Sequence, residues 1–157
     1  MSDRLNDNST YQRCFACGQQ NPFGLKLRFR HEGDLIVSEC MPGPEYAGFP
    51  GVVHGGIIAT LLDESLSRLG AAQGRWLMTA RLELRYRQAA PLGELLRVES
   101  RLTDSRSRLV RGEAVVRLAD EPGTVYAEAS GTFMPLPEDY LRHMIEAHPE
   151  LSSFFNL

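Results

Sequence analysis

A change of hydrophobic period after residue 72 constrains this chain more than any other feature. Within 56–72, Ile57, Ile58, Leu61, Leu62, Leu66 and Leu69 cover half of a helical wheel, the stripe of an amphipathic helix. Beyond it the period is two. Trp76, Met78, Ala80, Leu82, Leu84 and Tyr86 alternate with Leu77, Thr79, Arg81, Glu83, Arg85 and Arg87. The alternation returns in 95–103 (Leu96, Val98, Leu102), 109–119 (Val110, Ala114, Val116, Leu118) and 124–134 (Val125, Ala127, Ala129, Phe133). Turns containing Gly93, Ser105 and Gly123 separate these segments, which is the pattern of an antiparallel meander. Upstream of the helix, LKLRFR (25–30) and LIVSEC (35–40) read as two further strands. One helix against a one-sided sheet of about six strands is an α+β solution. Such a sheet leaves edges and an open face, and pairing with a second copy is the economical remedy.

With 157 residues, the chain has room for one domain of ordinary size. Its 43% hydrophobic and 24% charged residues are those of a globular protein with a core to bury. The expected organisation is a loose tail over 1–13, a single domain over 14–136, and a C-terminal helix and tail over 137–157. That helix covers about 138–147 and is stopped by Pro149. MSDRLNDNST has no apolar core of a secretory signal, and no stretch approaches the ~20 apolar residues of a membrane span. Three cysteines, an odd count, read as reduced thiols, so the expected location is cytoplasmic. Charge is uneven. Residues 81–117 hold nine arginines against five acids, a local +4, and the remainder has eight basic and fifteen acidic residues, a local −7. This suggests either an anionic partner for the middle segment or Arg and Glu solvating the outer face of a sheet. With an acidic overall balance and no binding motif, nucleic acid is not an expected partner.

The chemistry concentrates in GFPGVVHGGIIATLLDE, residues 48–64. A Gly-rich loop delivers His54-Gly55-Gly56 to the start of the helix. Two glycines there leave backbone N–H groups uncovered, and with the helix dipole behind them they suit an anion or a developing oxyanion. The same glycines also fit a tight loop-to-helix turn with no chemical role. Asp63 lies outside the apolar arc and has no basic residue three or four positions away, whereas Glu64 has Arg68 at i+4, an ordinary helix-surface pair. Asp63 is thus a candidate carboxylate, or else a solvated one. Gly55 and Asp63 are eight residues apart, about 12 Å along a helix. Both act on one carbonyl only if they come from two copies of the chain.

That segment, together with CFACGQQNPFGL and TARLELRY, resembles the PaaI-like branch of the hotdog-fold thioesterases, over about residues 14–136. The resemblance implies a hotdog fold, one long central helix wrapped by the sheet, and hydrolysis of acyl-coenzyme A thioesters. It implies Asp63, nine residues after His54, as general base or nucleophile. It also implies that the Gly55 N–H donates to the thioester carbonyl and that Thr79 orients the attacking water. His54 joins this catalytic set, chiefly as the residue that fixes the loop. Gly56 and Arg81 are the substrate-binding candidates, the arginine-rich 81–117 segment being suited to coenzyme A phosphates. No cofactor is implied, and a homodimer is the minimum assembly, a homotetramer the larger option. Relatives often place an Asn or Gln six or seven residues before the His-Gly pair; here the region reads Ala47-Gly48. Related dehydratases carry a His directly before a Phe-Pro pair, where this chain has Gly48 before Phe49-Pro50. The alternative of another class is a hotdog protein that binds acyl-coenzyme A without catalysis. No metal site is expected: Cys14-x-x-Cys17-Gly18 is one pair with Cys40 a remote third ligand, and reads as a structural turn.

Overall fold

The computed structural model describes residues 5–6 and 12–152. Six strands, β1 (Phe29–Glu32), β2 (Leu35–Cys40), β3 (Leu77–Tyr86), β4 (Leu96–Arg106), β5 (Leu109–Leu118) and β6 (Val125–Pro135), form one sheet. All pairings are antiparallel and the order is β1-β2-β4-β5-β6-β3. Helix α1 (Gly55–Ala71) connects β2 to β3, and because these strands lie toward opposite ends of the sheet, it crosses the sheet's inner face. This is the α+β, hotdog-like arrangement expected.

The core is the α1 stripe against the sheet. Ile58, Leu61, Leu62, Leu66 and Leu69 are buried with Val98, Val110, Ala114, Val116, Ala127, Ala129 and Phe133. Each large aliphatic side chain removed from water contributes about 1.5–3 kcal/mol. Close seating depends on two glycines paired across β5 and β6, Gly112 and Gly131. A Cβ on Gly112 would lie 2.2 Å from Leu69 Cδ1, and one on Gly131 3.0 Å from Leu66 Cδ1.

Three local expectations need correction. The strand expected over 25–30 begins only at Phe29, because Lys26 has a φ of +54° and the N–H groups of Leu25 and Leu27 donate to Phe15 and Ala16 instead. The tail over 1–13 is not loose throughout: Leu5 is in the core, and Asn6 exchanges two 2.7 Å hydrogen bonds with the Phe29 backbone. The rest of that tail, apart from 12–13, lies outside the described residues. In β3 the simple alternation fails at a β-bulge between Thr79 and Arg81. Thr79 pairs with Phe133 and Leu82 with Gly131, so both face the helix, although they are an odd three positions apart with only two residues between them. Met78 consequently points away and is 48% exposed. Helix α2 (Glu138–Ala147) matches the expected C-terminal helix; the final segment, 153–157, lies outside the described residues. Among the described residues no helix is long and apolar enough to cross a membrane.

Candidate active site

His54 caps α1. Its Nδ1 accepts from the Gly56 N–H at 2.9 Å, and its own N–H donates to the Tyr46 carbonyl at 2.8 Å, tying the loop to the helix start. The ring nitrogen facing the helix is therefore occupied, which fits the loop-fixing role. It also corrects the expectation of two uncovered amides, because the Gly56 N–H is taken by the cap. The Gly55 N–H has no acceptor among the described residues, as the first helical turn allows.

The two glycines differ in what they need. A Cβ on Gly56 would sit 3.0 Å from His54 Nδ1, so the cap itself excludes a side chain there. A Cβ on Gly55 would meet nothing closer than the Tyr86 ring at 3.6 Å, an ordinary contact. Among the described residues nothing requires glycine at position 55, and a bare backbone beside an open N–H is what an approaching ligand requires. Tyr86, which sequence reasoning counted only as an apolar position, donates its O–H to the Gly55 carbonyl at 2.9 Å. It anchors the first turn from β3.

Further along α1, Asp63 Oδ1 accepts from the Thr79 hydroxyl at 2.9 Å. The bulge in β3 makes this contact, since regular alternation from Leu82 backwards would turn Thr79 outwards. Asp63 is in no ion pair among the described residues. Burial pushes its carboxyl above the ordinary carboxylate range, the Thr79 hydrogen bond pulls it back, and the charge of Glu64 adds to the rise. A half-buried carboxylate without a cation is suited to accept a proton.

Glu64 corrects the surface-pair expectation. It does pair with Arg68, but Arg68 is only 7% exposed, donates to the Leu5 carbonyl at 3.1 Å, and lies over the Phe29 ring 5.1 Å from its centroid. The pair is part of the interior. Arg81 falls beyond the bulge on the outer face of β3, where it pairs with Glu83 at 2.7 Å. Within one chain it is not brought to Asp63. Seven of the nine arginines in 81–117 are ion-paired with Glu or Asp: 81, 87, 97, 101, 106, 111 and 117. Most of the cationic segment is thus a salt-bridged outer sheet face. A hollow of about 730 Å³ on that face is lined by Glu83, Arg85, Glu99, Arg101 and Glu113 among others. It is on the far side of the sheet from the Asp63–Thr79 pair.

The family model of the thioesterase superfamily matches residues 50–125, which include the Gly55 turn, Asp63 and Thr79. Residues 50–125 thus match a thioesterase superfamily domain. The chain is 36% identical over 124 residues to acyl-coenzyme A thioesterase THEM4 of Bos taurus, covering 78% of this chain and 51% of that protein. It is 30% identical over 136 residues to acyl-coenzyme A thioesterase THEM5 of Homo sapiens, covering 87% and 54%. The chain thus spans about half the length of the curated relatives it matches. Among solved structures, a thioesterase superfamily protein superposes with a TM-score of 0.73 at 29% identity, over 84% of this chain and 68% of that one. The superfamily match and the six-stranded sheet around α1 bear out the expected hotdog thioesterase fold.

Proposed function

We propose that this chain hydrolyses an acyl-coenzyme A thioester to the free acid and coenzyme A, in sites shared between two copies. The observation that carries the reading is a half-buried carboxylate held by Thr79 with no ion pair among the described residues, on the same helix as a Gly55 N–H with no acceptor among them. The names of the curated relatives support the substrate class. Thr79 holds Oδ1 of Asp63, which leaves Oδ2 to take a proton from a water attacking the thioester carbonyl, or to attack it directly. The Gly55 N–H, at the positive end of α1, stabilises the oxyanion. A thiol with a pKa near ~8.5 leaves as thiolate with little acid assistance, so one carboxylate suffices.

Two copies are needed because Gly55 and Asp63 are about 12 Å apart along one helix. Among the described residues β3 is an edge strand with an unpaired side, and its inward-facing Leu82 and Leu84 are only half-buried. Antiparallel pairing of two β3 edges would cover them and bring the helix start of one copy towards Asp63 of the other.

The test is a panel of acyl-coenzyme A thioesters assayed with a thiol-trapping dye. Thiol release that vanishes in a folded Asp63→Asn variant is the expected result. Saturable binding with no release from the wild type would establish a non-catalytic acyl-coenzyme A binder instead.

A further inference from the structure

One residue beyond Asp63, α1 meets the cysteine turn that precedes β1. The Sγ atoms of Cys14 and Cys17 and a carboxylate oxygen of Glu64 all lie within 4.8 Å of one another. Cys17 is buried, Cys14 half-buried, and the Glu64 side chain is 16% exposed. The turn is shaped around the sulfur atoms. The N–H groups of Ala16 and Cys17 point at the Cys14 sulfur, and the Gly18 N–H donates to the Cys14 carbonyl at 2.9 Å. A Cβ on Gly18 would lie 2.4 Å from the Gln12 carbonyl oxygen and 2.5 Å from the Cys14 nitrogen, so only glycine closes this turn. A Cys-x-x-Cys turn of this kind aims two sulfurs at one point. The third donor, invisible to a search for cysteine and histidine spacing, comes from the helix.

We propose that Cys14, Cys17 and Glu64 form a binding site for a thiophilic divalent cation of the zinc class, with solvent completing a tetrahedron on the open side of Cys14. Two thiolates and a carboxylate are a donor set that suits such an ion. Charge closes as well. Three anionic ligands, the buried Arg68 guanidinium and a divalent cation sum to zero. Arg68 is anchored by the Leu5 carbonyl and the Phe29 ring and bonds Glu64 Oε1, which leaves Oε2 for the ion. It acts as an outer support that orients a ligand. The site is structural, and it clamps the N-terminal loop to the helix that carries Asp63. It is independent of the proposed hydrolysis.

The test is a Co²⁺ titration of the whole chain, reduced with a phosphine and stripped with chelator. A near-ultraviolet sulfur-to-cobalt charge-transfer band that saturates at one equivalent and is displaced by Zn²⁺ is expected, with a higher Tm in Zn²⁺. Cys14→Ser should weaken the band, Cys40→Ser should leave the titration unchanged, and Glu64→Gln should lower Co²⁺ affinity roughly tenfold or more. Should Glu64→Gln fail to fold, Glu64→Asp, which keeps the charge and shortens the reach, serves in its place with the same expectation. Absence of the band in reduced, folded wild type overturns the proposal, whether or not air then closes a Cys14–Cys17 disulfide. An affinity unchanged by both Glu64 variants overturns it too.

Discussion

At the residue scale the sharpest contrast lies between neighbours. Gly56 is glycine because the His54 cap leaves a side chain no room; at Gly55 no described residue stands in the way of one. Gly56→Ala should therefore cost about 1 kcal/mol, the scale of a lost N-cap, measured by chemical denaturation. Gly55→Ala should keep the wild-type denaturation midpoint and lose at least roughly tenfold in kcat/KM, because its Cβ occupies the approach to the open N–H. Asp63 carries a second contrast, between stability and activity. Its folded pKa is raised, chiefly by burial, so the native state holds the proton more tightly than the unfolded chain. Native stability then falls as pH rises from the unfolded carboxylate pKa through the folded one, and above both the ionised group is a net cost. Asp63→Asn removes that cost. It should raise Tm at neutral pH, with the advantage vanishing in acid, while reducing turnover by about 10²–10⁴-fold, the range for a lost general base. An Asn variant less stable than wild type at neutral pH would contradict this account of Asp63.

At the scale of elements, β3 shows where sequence pattern succeeds and where it stops. The helix and the β4–β5–β6 meander were legible because each buries one face, and burial imposes the period on Leu61, Leu66, Val98 and Val116 alike. In β3 the period survives on both sides of Ala80 but changes phase there. Alternating apolar residues at 76–80 and 82–86 give no hint of the slip, because Met78 and Ala80 tolerate either face. Thr79 enters the candidate site through family resemblance and not through its position in the strand, and the bulge is what brings its hydroxyl to Asp63. The Glu64–Arg68 pair was misread for a related reason: i+4 spacing fixes that the two side chains meet, not that Leu5 and Phe29 cover them. The bulge also yields a prediction. By aiming the Thr79 hydroxyl at Asp63 it lowers a pKa that burial raises, so Thr79→Val should raise that pKa further. On the proposed mechanism Asp63 acts ionised, so the acid limb of kcat/KM against pH should move to higher pH. A limb that stays in place would mean that Thr79 does not touch the ionised carboxylate during turnover.

At the scale of the whole molecule, the decisive quantity is the length of α1 between its two chemical positions. No bend in a 17-residue helix brings Gly55 and Asp63 to one carbonyl, so under the proposed mechanism a single chain holds two half-sites facing different surroundings. A two-copy site makes each centre a hybrid, and hybrids can be tested genetically. A Gly55→Leu variant blocks the proposed oxyanion position, and Asp63→Asn removes the proposed base or nucleophile; each homodimer should be nearly inactive. Mixed after dissociation and reassociation, half of the dimers are heterodimers, and each of these holds one centre with both an intact Gly55 and an intact Asp63. Activity should return to about one quarter of wild type, the statistical value for a closed two-fold assembly. Mixing that restores nothing, with heterodimers verified by mass, would place Gly55 and Asp63 in separate roles, since centres built within one chain cannot complement each other. Complementation also depends on concentration. Dilution below the dimer dissociation constant should abolish the recovered activity and the wild-type activity together, because the monomer retains every residue named here and still lacks a complete site.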